Sequence, residues 1–215
     1  MRVALFDEVL AQLATGWRPD YGTPLLALRP VPGDRRAARS ATRAAACALA
    51  ACWAGSPKAD YLRPGRRPRI AAGPMHFHVS LAYGNNGNNG SSEHTGGDRE
   101  GCALIALCPA DDHGIAALGI DLCAIGLLPD WDAVAGLYLP PAERQALHEA
   151  TPSRRAEAFA QAWSRLEAGS KAAGIDLVEW HDGIAASFAG LRTSGLDMPP
   201  AFADHWAAML ACAPG

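Results

Sequence analysis

A glutamate and a lysine lie four residues apart in the stretch WSRLEAGSK, at Glu167 and Lys171. On a helix, residues at this spacing lie one turn apart on one face, where a carboxylate and an ammonium can act together. With Phe159 and Trp163 they form an i, i+4 series that turns by only about 40° per step. The carboxylate is therefore predicted at the border of an apolar stripe, where a half-buried acid needs a partner or a cation. An ordinary surface salt bridge is the alternative.

Lysine is rare in this chain. Of 19 lysine and arginine residues, only Lys58 and Lys171 are lysines. An ammonium is a compact point charge on a flexible stem, whereas a guanidinium is broad and planar. The choice of lysine at 171 therefore indicates that a compact cation is needed there.

An aspartate stands inside the apolar segment GIDL at 119–122, which is predicted to be a buried strand. Gly119 would allow a neighbouring element to approach closely. An aspartate in such a strand either accepts hydrogen bonds from backbone donors or coordinates a cation. Mg²⁺ typically uses one or two carboxylates plus substrate phosphates and water. Asp121 and Glu167 could thus hold Mg²⁺, with Lys171 contacting a phosphate.

Basic residues are concentrated in the first half of the chain, although the net charge is only −3. From Arg29 to Arg69 there are ten basic residues and two acids, and the rest holds nine basic residues and twenty acids. This asymmetry indicates a local anionic ligand rather than a general nucleic-acid surface. Chance clustering on a solvated face is the alternative. Arg35, Arg39 and Arg43 recur every four residues and predict a basic stripe on a helix.

The order of predicted elements favours an α+β protein in two similar halves. The predicted helices are 34–53 with Asp34 as N-cap, 140–149, 153–173 ended by Gly174, and a short final helix at 202–212. The predicted strands are 23–30, 76–83, an antiparallel hairpin of 102–108 and 116–125, the segment 177–182 and the segment around 187–191. The glycine- and asparagine-rich segment 84–101 is predicted to be a mobile loop that buries no core.

Several classes of protein are not favoured by the composition. No apolar run approaches 18 residues, so no membrane span is expected, and the start lacks the continuous apolar region of a signal peptide. The six cysteines show no CxxC spacing and lie in apolar surroundings, which predicts reduced thiols in a cytoplasmic protein. His76 and His78 would share one face of a strand, as in a metal hydrolase, but no third ligand follows at a recognisable spacing.

The strand and the helix together resemble the two signature stretches of the 4′-phosphopantetheinyl transferases of the surfactin-synthetase-activating type. That family has a G-(I/V)-D strand and a W-x-x-K-E-A-x-x-K helix. Here they read Gly119-Ile-Asp121 and Trp163-Ser-Arg-Leu-Glu167-Ala-Gly-Ser-Lys171, with 46 residues from Asp121 to Glu167. The resemblance is specific over residues 100–178. Weaker similarities are FHVSLAY, where the family has a strand ending in Ser-His-Ser, and Arg66-Arg67-Pro68, where it has Gly-Lys-Pro.

The resemblance implies a pseudo-dimer of two similar α+β halves with the active site in the cleft between them. Residues 1–108 would be the basic, coenzyme A-binding half, and residues 109–215 would carry the metal and catalytic motifs. The implied reaction is Mg²⁺-dependent transfer of the 4′-phosphopantetheine arm of coenzyme A to a serine of an apo acyl or peptidyl carrier protein, releasing adenosine 3′,5′-bisphosphate. We expect a cytoplasmic monomer with no nucleic-acid or membrane partner.

The resemblance also assigns roles by position. Asp121 would bind Mg²⁺, and Glu167 would bind Mg²⁺ or act as the base toward the carrier serine. Lys171 would stabilise the pyrophosphate as charge develops on the leaving group. The residues expected to line the coenzyme A pocket are Ser80, Arg67 and, as the contact to the 3′-phosphate, Arg39 or Arg43, with Arg36 as a further alternative.

Three residues depart from the family's pattern. Cys123 stands where many members carry a second acid, which would leave the metal two protein ligands. Leu81 stands where a histidine often follows the serine, and Leu166 replaces the lysine before the glutamate. These departures leave open an alternative function, that of a catalytically impaired homologue that binds coenzyme A or a carrier protein.

Overall fold

The computed structural model describes residues 1–20, 22–32, 34–63, 67–84, 101–110 and 114–215. The described chain forms two β-sheets with helices packed on them, so the prediction of a mixed α+β protein is confirmed. The loop predicted over 84–101 lies outside the described residues, except for Gly84 and Gly101, which end one strand and begin the next. None of the described helices is both long enough and apolar enough to cross a bilayer.

The first sheet has six strands in the order β1-β2-β6-β5-β4-β3. Their bounds are β1 Ala4–Leu5, β2 Leu25–Val31, β3 Asp60–Leu62, β4 Arg69–Ala72, β5 Met75–Gly84 and β6 Gly101–Pro109. Strand β1 runs parallel to β2, and the other neighbours are antiparallel. One face of this sheet is covered by helix α1 (Phe6–Ala14) and helix α2 (Arg35–Ala54).

Helix α2 begins and ends where the sequence predicts. The Asp34 side chain accepts a 2.7 Å hydrogen bond from the Ala37 amide, which satisfies one of the unpaired donors of the first turn. Gly55 follows the helix with φ of 63°, the left-handed conformation that suits glycine after a helix. The inner face, including Leu49 and Trp53, packs on the sheet. These contacts fix the direction in which the basic stripe points.

The second sheet has three antiparallel strands in the order β7-β9-β8. Their bounds are β7 Ile115–Ala124, β8 Arg192–Gly195 and β9 Trp206–Pro214. The other helices are α3 Trp131–Tyr138, α4 Pro141–Glu149, α5 Pro152–Ala173, α6 Asp182–Ser187 and α7 Pro200–Ala203. Helix α5 packs on one face of this sheet, and both α4 and α5 match the predicted helices.

The two sheets pack face to face through one buried apolar cluster. Leu28 and Leu104 of the first sheet lie in this cluster with Ile120 and Leu210 of the second. Helices α2 and α5 cover the outer faces of the two sheets, so the fold has four layers: helix, sheet, sheet and helix. Because side chains alternate along a strand, the residues of β7 next to Ile120 face α5 instead.

Strand β7 and helix α5 approach each other unusually closely at Gly119. A Cβ atom at this position would lie 2.6 Å from the Ala172 amide nitrogen and would overlap the Ala168 carbonyl oxygen. Only a glycine lets the two backbones come this near. The predicted role of Gly119 is confirmed.

The prediction of a final helix at 202–212 is wrong, because residues Trp206–Pro214 form strand β9 in the middle of the second sheet. Trp206 and Leu210 lie between the sheets, and Met209 and Ala211 lie against α5. A strand that is buried on both faces shows no polar alternation, and its length and periodicity then resemble those of a buried helix.

The predicted hairpin of 102–108 and 116–125 is also wrong. Strand β6 pairs with β2 and β5, whereas β7 pairs with β9 of the other sheet. The short connection carries the chain from one sheet to the next. The strands predicted at 177–182 and around 187–191 are wrong as well, since helix α6 occupies Asp182–Ser187 and β8 begins only at Arg192.

Candidate active site

A cavity of about 880 Å³ lies between helix α2, strand β5 and the face shared by β7 and α5. Its described lining is basic on the α2 side and carries two carboxylates on the α5 side. The charged lining residues are Arg35, Arg39, Arg43, Arg63, Asp121, Glu167 and Lys171. The predicted site residues Ser80, Arg39, Arg43, Asp121, Glu167 and Lys171 therefore all contribute to this one cavity.

Lys171 bonds to strand β7. Its Nζ donates to Asp121 Oδ1 at 2.7 Å and to the Ile120 carbonyl oxygen at 3.0 Å. The Asp121 side chain is 12% exposed and the Lys171 side chain 32%, so solvent screens this ion pair only in part. Among the hydrogen bonds and ion pairs of the described residues, Lys171 does not pair with Glu167. The surface salt bridge considered for the helix is not formed.

Glu167 lies half-buried beside Asp121. Burial raises the pKa of the Glu167 carboxyl, the charge of Asp121 raises it further, and Lys171 partly offsets both. A carboxylate whose ionisation is disfavoured by a neighbouring negative charge is relieved by a cation between the two groups. Hard divalent ions favour such oxygen donors, so these two residues fit Mg²⁺.

No group of three or more His, Cys, Asp or Glu suited to a metal occurs within the described ranges. This applies to the surroundings of Asp121 and equally to those of His76 and His78. A cation held by Asp121 and Glu167 would need water or substrate oxygens to complete its coordination.

Cys123 lies on the same face of β7 as Asp121 and lines the cavity. Burial raises the pKa of its thiol to about 12, and the charges of Asp121 and Glu167 contribute. The thiol is therefore protonated at neutral pH and donates to the Ala124 carbonyl at a sulfur–oxygen distance of 3.6 Å. A neutral thiol is a poor ligand for a hard cation, so Cys123 adds neither a negative charge nor a good Mg²⁺ ligand to the site.

Strand β7 is an edge strand of its sheet, and the site is built on its outer edge. The Ile120 amide donates to Ser80 Oγ at 2.9 Å, and the Ile120 carbonyl accepts from Lys171. Ser80 thus lines the cavity, as expected for a pocket residue, and also satisfies a buried backbone donor. Asp121 follows directly, so its position depends on both neighbours.

The α2 side of the cavity combines arginines with tyrosines. The guanidinium of Arg43 lies 5.5 Å from the centre of the Tyr61 ring, and Arg63 interacts with the Tyr61 hydroxyl. The Arg43 Nε is buried without a hydrogen-bond partner among the described residues. Burial raises the pKa of Tyr83, which bonds to Thr42. Cationic and aromatic groups together suit a phosphorylated, ring-containing ligand.

Two of the predicted basic residues lie elsewhere. Arg36 is not among the described lining residues. Arg67 donates from Nη2 to the Ala173 carbonyl oxygen at 2.9 Å and so caps the last turn of α5. Its neighbour Arg66 lies outside the described residues, whereas Pro68 lines the cavity.

Sequence reasoning missed several lining residues. Arg63 stands in the basic segment and could have been found from its charge. The aromatic residues Tyr61, Tyr83 and Trp206 line the cavity too, but nothing in their sequence context distinguishes them from core residues. Trp163 also lines it and stands in the same i, i+4 series as Glu167 and Lys171. Trp206 comes from the strand that was predicted as a helix, so its place could not have been found.

The family model of the 4′-phosphopantetheinyl transferase superfamily matches residues 117–207. The matched part runs from β7 through α5 into β9 and includes Asp121, Glu167 and Lys171. No curated protein sequence matches the chain. For this part of the chain, the match supports phosphopantetheine transfer as the general activity.

Proposed function

We propose that this protein is a 4′-phosphopantetheinyl transferase of the surfactin-synthetase-activating type. It would transfer the phosphopantetheine arm of coenzyme A to a serine of an apo carrier protein and release adenosine 3′,5′-bisphosphate. One observation carries the proposal: Asp121, Glu167 and Lys171 share a cavity whose opposite wall is lined with arginines.

The cavity matches the chemistry of coenzyme A. Its volume of about 880 Å³ lies within the usual range for cofactor pockets. Coenzyme A carries a pyrophosphate and a 3′-phosphate, and guanidiniums bind phosphate oxygens in pairs. Arg39 and Arg43 are the proposed contacts to the 3′-phosphate, with Arg35 and Arg63 added from the lining. Arg67 is proposed to act on the pocket indirectly, through its hydrogen bond to the last turn of α5.

The acidic side of the cavity would carry the chemistry. Asp121 and Glu167 would hold Mg²⁺, which supplies charge neutralisation on the departing phosphate oxygens. Lys171 would donate to the pyrophosphate as negative charge develops there. Glu167 could also accept the proton of the carrier serine, a task that suits a carboxyl whose pKa is raised.

We further propose that the two sheets represent two related halves, 1–108 and 109–215. Each sheet carries one long helix on its outer face, α2 or α5, which supports a pseudo-dimer. The basic wall of the cavity comes from the first half and the carboxylates from the second. Coenzyme A would then bind between the halves of a cytoplasmic monomer.

Intact mass of apo carrier proteins tests this function. Fatty-acid, polyketide and nonribosomal-peptide carriers are incubated separately with the protein, coenzyme A and Mg²⁺. A gain of one phosphopantetheine on at least one carrier is expected, and EDTA should abolish it. Binding of coenzyme A or a carrier without any mass gain would instead identify the catalytically impaired homologue, which the thiol at Cys123 favours.

A further inference from the structure

The Asp121 carboxylate already has a cation beside it, the ammonium of Lys171. Two acceptors hold this ammonium, Asp121 Oδ1 at 2.7 Å and the Ile120 carbonyl oxygen at 3.0 Å. Both belong to β7, and the pair lies largely out of solvent. A divalent ion bound to Asp121 would therefore have to share the carboxylate with Lys171 or displace it.

The second carboxylate does not relieve this conflict. Glu167 lies one helical turn before Lys171 and faces the same cavity. A divalent ion between Asp121 and Glu167 would stand next to the ammonium, and like charges at such short range repel. The repulsion is removed if the ammonium turns toward an anion. The flexible stem of lysine permits this movement, and Lys171 lines the cavity in which the anion would bind.

We propose that Lys171 is a built-in counterion of Asp121, which competes with the divalent cation and is released to the pyrophosphate when coenzyme A binds. The inference rests on the proposed function and deepens it. Metal and coenzyme A then bind cooperatively, because each ligand removes the obstacle to the other. Linkage requires the effect to be reciprocal.

Calorimetric titration of Mg²⁺ into protein freed of metal, with no coenzyme A or carrier present, tests the competition directly. Lys171→Met keeps most of the stem and removes the charge, and Lys171→Gln is a second variant should the first fold poorly. Both should bind Mg²⁺ on the order of tenfold more tightly than the wild type. Lys58→Met is the matched control, since Lys58 is exposed and not among the described residues that line the cavity. The Mg²⁺ affinity of this variant should equal that of the wild type.

The gain must depend on Asp121. At a Mg²⁺ concentration that saturates Lys171→Met, the ion should raise the melting temperature of that variant. Mg²⁺ should not raise the melting temperature of Asp121→Asn or of the double variant that combines Asp121→Asn with Lys171→Met. Equal Mg²⁺ affinity of wild type and Lys171→Met, or a gain that survives in the double variant, overturns the inference.

The inference and the proposed function fail in different ways. If the wild type loads a carrier but Lys171→Met shows no gain in Mg²⁺ affinity, the counterion role is wrong and the transferase remains. If the wild type loads no carrier, the proposed function itself is wrong.

Discussion

The Ser80 hydroxyl oxygen accepts a 2.9 Å hydrogen bond from the Ile120 amide and so joins the first sheet to the edge of the second. Both groups are buried, and Ile120 directly precedes Asp121. The bond therefore serves the packing of the two sheets and the placement of a site carboxylate at once. Its loss is expected to affect stability and activity together.

Ser80→Ala should lower the free energy of unfolding by about 1–3 kcal/mol, because it leaves the Ile120 amide buried without an acceptor. Urea denaturation measures the change. Ser164→Ala is the control: among the described residues, that buried hydroxyl donates only to carbonyls of its own helix, so its removal leaves no backbone amide without an acceptor. Equal losses in the free energy of unfolding for the two variants would show that the Ser80–Ile120 bond stabilises the fold no more than the bonds of an ordinary buried hydroxyl.

Gly119→Ala should push α5 away from β7 and reduce both stability and carrier loading. The added Cβ meets backbone atoms of Ala168 and Ala172, which cannot yield as a flexible side chain would. We expect a loss of about 1–3 kcal/mol, measured by denaturation. Gly136→Ala in α3 is the matched control, since an added Cβ there meets no described atom within 4 Å apart from its own stretch of helix backbone, and a helix tolerates alanine better than glycine. A stable, active Gly119→Ala would contradict the close approach.

Glu167→Gln should abolish transfer while leaving the fold intact. The amide keeps the size of the side chain but loses the charge that the metal and the serine proton need. A loss of about 10²-fold or more is expected, measured as the rate of carrier loading with circular dichroism as the check on folding. Glu157→Gln, an exposed change on the same helix, should load carriers at the wild-type rate. Near-wild-type rates for Glu167→Gln would show that Glu167 is a surface residue of the helix with no role in the reaction.

Asp121→Ala and Lys171→Ala should both lose activity, with different dependence on Mg²⁺. Without Asp121 the metal loses a ligand, so the Mg²⁺ concentration needed for turnover should rise steeply. Without Lys171 the maximal rate should fall, and the Mg²⁺ curve in the presence of coenzyme A should move much less. The rate of carrier loading, measured over a series of Mg²⁺ concentrations, tests this difference. Superimposable Mg²⁺ curves for the two variants would contradict these roles.

Cys123→Asp and Cys123→Glu should restore an acid next to Asp121. Without Mg²⁺, a third carboxylate adds repulsion and lowers the melting temperature; with Mg²⁺, most of that loss should be recovered and activity should be retained. Cys123→Ala should be mild. A large loss of stability that Mg²⁺ does not change would mean that residue 123 does not face the site.

Helices α2, α4 and α5 were predictable because their signals are local. Asp34 marks the start of α2, and an apolar stripe followed by Gly174 marks α5. The spacing of Glu167 and Lys171 needs nothing beyond helix α5. Gly119 and Asp121 stand out because they interrupt an apolar strand. Such features depend on neighbours in sequence, which is the information that a single sequence contains.

What could not be predicted depends on distant pairing. Strand β9 is apolar on both faces and rich in alanine, a residue with high helix propensity. Its strand conformation depends on pairing with β7 and β8, which the local sequence does not show. The separation of β6 from β7 into two sheets has no local signal either. The Ser80–Ile120 bond and the contribution of Trp206 to the cavity follow from that arrangement.

The position of β9 also has a consequence for the order of events during synthesis. Asp121 pairs with Met209, and β9 supplies the backbone partners of both β7 and β8. The first sheet can close once β6 has emerged from the ribosome, but β7 must wait until residues 206–214 have been made. At about 5–20 residues per second, this leaves the carboxylate-bearing strand unpaired for several seconds, a period in which a nascent chain is exposed to chaperones and to aggregation.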